Sequence, residues 1–196
     1  MTSFLHPIFL ALLLVVVAAP AAAEKADRGK PMEILADKSG SADLKNQVSR
    51  FSGNVVITQG TMVITADRVE VRQTPDGYHT GTAWGLPGVP VTYRQKRDNV
   101  DEYVEGAADR VEFDGKTEVL RFIGNSVVRR LRGKEVIDEI TGALIVWNHA
   151  SEQFSVQGAA PVGSGPAGRA RAVFTPPAGS AAASTPAGGK TGAGPR

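Results

Sequence analysis

Period-two alternation, cut into runs by glycine-bearing turns, constrains this chain more than any other feature of its sequence. In "DRVEVRQ" Val69 and Val71 fall on one face and Arg68, Glu70 and Arg72 on the other. "SRFSGNVVIT" places Phe51, Gly53, Val55 and Ile57 together, and "TMVITA" does the same for Met62, Ile64 and Ala66. Side chains that alternate over short runs belong to half-buried strands. The punctuation agrees. Gln59-Gly60, Asp76-Gly77, Asp114-Gly115 and Arg132-Gly133 each supply a glycine for the positive φ of a tight reversal. Pro87, Pro90 and the glycines around them mark an irregular connection before "VTYRQK". Between Pro31 and Thr175 no stretch carries a helical stripe, so the expectation is an all-β fold of many short strands.

A repeat lies within the alternation. Ala36-Asp37-Lys38 is followed 16 residues after the aspartate by Gly53-Asn54, and Ala108-Asp109-Arg110 is followed 15 residues after it by Gly124-Asn125. Each Gly-Asn has a phenylalanine just before it, Phe51 in "RFSGN" and Phe122 in "RFIGN". A third Ala-Asp stands at Ala66-Asp67. Two related halves of several strands each imply a stacked sheet, and an open stack leaves edge strands to be blunted or used.

The flanks differ in composition from this core. Ile8 to Ala19 is an apolar run followed by Pro20 and Ala21-Ala22-Ala23, the pattern of a secretory signal, although its start carries no lysine or arginine. The other reading is an uncleaved membrane anchor. It is disfavoured because a spanning helix needs roughly 20 apolar residues. Residues 1–23 are therefore expected as a leader, 24–30 as a lead-in, 31–176 as the β domain and 177–196 as a disordered Gly/Pro/Ala-rich tail. The chain has no cysteine, which excludes disulfides and thiolate chemistry. Setting aside Lys190 and Arg196 in the tail, basic and acidic residues balance at 20 each. No basic stripe with interleaved aromatics points to nucleic acid.

Catalytic patterns are missing. His79 and His149 stand apart, without the converging ligands a metal needs. No phosphate loop, dinucleotide fingerprint or nucleophile elbow occurs. "DEYVE" and "EVIDE" read as charged, solvated strand faces rather than an acid pair. The basic cluster "VVRRLRGK" reads as a solvated strand end, with contact to an anionic head group as the alternative. No cofactor is implied. What remains is apolar residues on one face of many strands. These serve either a closed sandwich core or two sheets held apart around a groove, and composition alone favours the closed core.

"FSGNVVITQGTMVITADRVEV" (Phe51 to Val71), "PVTYRQ" (Pro90 to Gln95), "EYVEGAADRVEF" (Glu102 to Phe113) and "FIGNSVV" (Phe122 to Val128) resemble the OstA-like family of periplasmic lipopolysaccharide-transport bridge proteins. The resemblance covers about Pro31 to Thr175. It implies a twisted, V-shaped β-jellyroll of antiparallel strands in two sheets, with an apolar groove that shelters lipid A acyl chains and no enzymatic activity. By family position and strand parity the groove lining is Phe51, Val55, Ile57, Met62, Ile64, Phe122, Ile145, Trp147 and Phe154. The facing of Leu144 to Trp147 stays open, because that run is apolar on both sides. The edge strands, marked by Met32 and Ile34 at one end and Ala172 and Phe174 at the other, would join partners. Those implied are an LptC-like sister component anchored in the inner membrane, an LptD-like outer-membrane translocon, and further copies end to end. The implied location is the periplasm. A periplasmic β-scaffold without a ligand, or the anchored sister component itself, are the competing readings.

Overall fold

The computed structural model describes residues 27–158 and 168–175, so the leader and the tail lie outside the described residues. After a 3₁₀ turn at Asp27–Gly29 come twelve strands. They are β1 (Glu33–Leu35), β2 (Ser39–Asp43), β3 (Val48–Gln59), β4 (Met62–Gln73), β5 (His79–Trp84), β6 (Val91–Lys96), β7 (Glu102–Ala108), β8 (Arg110–Asp114), β9 (Val119–Arg132), β10 (Glu135–Asn148), β11 (Gln153–Gln157) and β12 (Arg171–Phe174). All the pairings are antiparallel. Among the described residues no helix is long and apolar enough to cross a membrane.

Not every strand is short. β3 and β4 run for 12 residues and β9 and β10 for 14. The apparent break between "TMVITA" and "DRVEVRQ" lies inside β4. These strands are long because each serves two layers. The first layer takes β2, the start of β3, the end of β4, β5, β8, the start of β9, the end of β10 and β11. The second takes β1, the end of β3, the start of β4, β6, β7, the end of β9, the start of β10 and β12. The expected two sheets are thus two layers of one twelve-stranded hydrogen-bonded sheet.

The repeat fastens the crossings between layers. Asp37 donates its backbone N–H to Gly53 O at 2.8 Å, and Asp109 donates to Gly124 O at 3.0 Å. Asn54 Nδ2 donates to Asp37 at 2.8 Å, and Asn125 Nδ2 to Asp109 at 2.9 Å. Both Gly-Asn pairs have positive φ, 82° and 43° in the first copy and 77° and 44° in the second. Glycine and asparagine are the residues that tolerate this region. The third Ala-Asp does not begin another copy. Asp67 lies in β4 across from the irregularity at Gly53-Asn54, where the register shifts between Ser52 and Val55.

Crossings gather on one long side of the molecule and hairpin turns on the other. Gly60, Gly77 and Gly133 take the expected positive φ in those turns. Gly115 does not, and Glu118 takes it instead, while Asp114 accepts bonds from the Lys116 and Thr117 amides. Gly124→Ala should destabilise by about 2–3 kcal/mol. Roughly 1–2 kcal/mol comes from the left-handed backbone and the rest from the Asp109–Asn125 bond that its Cβ would displace. Urea unfolding measures this, with Gly88→Ala as control. That residue shares the positive φ, but its Cβ would meet nothing.

Candidate functional site

Pairing registers align the inward side chains into rows that run across the strands, from one end of the molecule to the other. In the second layer one row reads Ile34, Ile57, Ile64, Tyr93, Gly106, Val128, Ile140, Ala172. In the first layer the facing row reads Gly40, Phe51, Val69, Ala83, Val111, Phe122, Ile145, Val156. Beside it lies Val71, Gly81, Phe113, Leu120, Trp147, Phe154. None of these side chains is charged. The layers meet where the Phe122 and Tyr93 rings pack edge to face at 5.7 Å. Burial raises the Tyr93 phenol well above its ordinary range, and its hydroxyl lies 2.6 Å from Gln95 Oε1.

Seven of the nine residues expected to line the groove are buried: Val55, Ile57, Met62, Ile64, Phe122, Ile145 and Trp147. Phe51 and Phe154 are half-buried against the same core. Six of the nine lie in three places. Ile57, Met62 and Ile64 face Val69, Val71, Val111 and Phe113 across a narrow fissure of about 20 Å³. Phe51 joins Met32, Ile34 and Val71 in a cleft of about 420 Å³ near the N-terminal end. Trp147 and Phe154 stack at 4.1 Å in the C-terminal half. Ile145 and Trp147 point inward, while Leu144 and Val146 fall on the opposite parity. Tyr93 and Gly106, central to the inward row, are absent from the sequence-based lining. Alternation through Val91, Tyr93 and Gln95 carries the signal for the first of them.

The turn side of the molecule is a mouth. In its N-terminal half the fissure widens to a cleft of about 600 Å³, floored by Met62, Phe113 and Leu120 and rimmed by Lys30, Tyr78, Lys116 and His149. In the C-terminal half a charged cluster crosses it. Arg97, after β6 in the second layer, donates to Glu102 at 2.5 Å and to Glu152, in a turn of the first layer, at 2.6 Å. Arg132 donates to Glu102 at 2.7 Å, and Arg130 pairs with Asp138. Glu102 is therefore buried, and Arg130 and Arg132 are its neighbours. Glu102 is thus the exception to the reading of "DEYVE" as a solvated face, since Asp101 stays exposed. The arginines of "VVRRLRGK" keep much of their surface in solvent as expected and still pair with carboxylates. Burial raises the Glu102 pKa, but hydrogen bonds from Arg132 and Arg97 outweigh it and hold the carboxyl below its ordinary range. Among the described residues no cluster of metal-ligating side chains occurs.

Both ends expose edges. β1, which holds Ile34, pairs with β3 alone, and β12, which holds Ala172 and Phe174, pairs with β10 alone. Met32 lies just ahead of β1. Each end also has a second edge that sequence reasoning missed, from the first layer: β2 at one end and β11 at the other. β2 is "SGSAD", which has almost no apolar residue to alternate. At the C-terminal end Phe174 and Ala172 pair across from Asp138 and Ile140 and are exposed, extending the inner row past the last neighbour.

Known proteins resemble this chain in sequence and in fold. The chain is similar to the lipopolysaccharide export system protein LptA of Haemophilus influenzae, at 32% identity over 151 residues, 77% of this chain and 83% of that protein. It is 36% identical over 105 residues to LptA of Escherichia coli K12, spanning about half of each protein (54% and 55%). Its fold matches the crystal structure of LptH from Pseudomonas aeruginosa, described as the LptA-homologous periplasmic component of a lipopolysaccharide transport device. The TM-score is 0.64 at 22% identity, over 77% of this chain and 99% of that one. Residues 33–153 match the family described as LptA/(LptD N-terminal domain) LPS transport protein. By that family match and the Haemophilus influenzae relative, the chain belongs to the LptA/LptD N-terminal domain family of lipopolysaccharide transport proteins.

Proposed function

We propose that this protein carries lipopolysaccharide across the periplasm, holding the acyl chains of lipid A between its two layers and leaving the sugars outside the mouth. The observation that carries the reading is the set of uncharged inner rows that run from edge to edge and remain partly exposed at both ends. Each methylene removed from water contributes about 0.8 kcal/mol, so a dozen on one chain amount to on the order of 10 kcal/mol. A lining of branched and flexible apolar groups meets that demand without directional bonds that would hold the cargo in one place. Ile57, Met62 and Ile64, with Phe51 at the near end and Phe122, Ile145, Trp147 and Phe154 further along, are the contact residues. Val55 closes the crossing side.

At the ends, the unpaired main chain of β1 and β2, and of β11 and β12, can extend the sheet into another subunit by strand addition. The partners of this chemistry are an LptC-like component at the inner membrane, an LptD-like translocon at the outer membrane, and further copies of the same chain.

The test is photo-crosslinking with a diazirine residue at Ile64 or at Val56, whose side chain lies on the outward parity of β3. A lipopolysaccharide adduct at position 64 and none at 56 is expected. Equal labelling, or none, would return the protein to the class of ligand-free scaffolds.

A further inference from the structure

The inner rows are continuous in register but not in free space. Phe122 is fully buried, and its ring lies over Gly106 on the opposite layer. A Cβ on Gly106 would overlap that ring, so the glycine is the slot that admits it. Tyr93, next to Gly106 in the second layer, packs against the ring edge and is itself pinned through Gln95. The fissure walled by Ile57, Ile64 and Val111 stops short of this plane. Beyond it lie Ile145 and the stacked Trp147 and Phe154.

We propose that Phe122, seated in the slot left by Gly106, is the gate of the conduit: it divides the apolar interior into two chambers, and an acyl chain enters the second only when the ring leaves the slot. The inference rests on the proposed acyl-chain site and adds the residue that limits how much of a chain is buried at once. From β1 to β6 the first chamber spans three strand spacings of about 4.8 Å, or ~14 Å. Chains that outgrow this length must displace the ring or leave their ends in water.

Binding of fatty acids from eight to eighteen carbons to the full-length protein, followed by titration calorimetry, tests the gate. For the unaltered protein, affinity should rise about fourfold per added methylene and then level off. Phe122→Ala removes the ring, and affinity should keep rising through the longest chains. Phe122→Leu, which keeps an apolar side chain and guards against misfolding of the alanine variant, should shift the plateau to longer chains. Val111→Ala, a smaller truncation in the wall of the first chamber, should lower affinity at every length but leave the plateau length where it is. Identical length profiles in all four proteins would overturn the gate while leaving the groove standing. A plateau moved equally by Val111→Ala would reduce Phe122 to general core loosening. Absence of saturable binding at every length would overturn groove and gate together.

Discussion

Glu102→Ala is expected to destabilise the protein by about 3 kcal/mol, since removing one partner from a buried ion cluster leaves the others uncompensated. Arg97, only 18% exposed in its side chain, would lose its shorter carboxylate contact, and Arg130 would keep only Asp138. Arg132 is 64% exposed and can turn to solvent, which keeps the loss towards the lower end of the range for such clusters. The same carboxylate sets a pH dependence. Its folded pKa lies below the ordinary glutamate value of 4.5. Its contribution is therefore fully present above that value and is lost as pH falls through the folded pKa. Urea midpoints from pH 7 to 2.5 should show Glu102→Gln well below the unaltered protein at neutrality, with the gap closing on acidification. A gap constant with pH would mean that the cluster adds nothing as a charged group.

Trp147→Ala should cost more, about 3–5 kcal/mol, because a large buried ring leaves a cavity that flanking strands cannot close. The ring is 2% exposed and stacks on Phe154, at the point where β10 meets β11. Loss of its contacts should loosen the edge strand β11 as well. In a domain of this size the melting temperature should fall by roughly 10 °C, read by circular dichroism. Trp147→Phe should recover much of that loss, since the stacking partner is retained. Trp84, the other tryptophan, is outward-facing beneath Arg68, whose guanidinium sits 4.7 Å from its ring. Its replacement by phenylalanine should stay within about 1 kcal/mol. Similar losses at the two positions would place Trp147 outside the inner face.

The repeated Asp…Gly-Asn unit was visible as a spacing, but its role was not. Separations of 16 and 15 residues between Asp and Gly look alike whether the residues touch or not. Only the fold showed that each asparagine reaches back to its aspartate across a layer crossing. Strand parity placed Ile57, Met62 and Ile64 inward, because a side chain in a pleat has two choices. It could not settle Leu144 to Trp147, where both faces are apolar.

What the sequence determined by itself was the local structure: all-β alternation, the turns at Gly60, Gly77 and Gly133, an uncharged inner face, and the motifs that mark the family. Those follow from side-chain parity and backbone preference over a few residues. The tertiary structure alone decided that β3, β4, β9 and β10 each serve two layers, that a buried Glu102 is drawn into an ion cluster with Arg97 and Arg132, and that Phe122 meets Gly106. The reason is distance along the chain. A carboxylate and an arginine 30 positions apart, or a ring and a glycine on opposite layers, interact only after long-range pairing has set the register. Nothing in the local pattern of either segment encodes that register by itself.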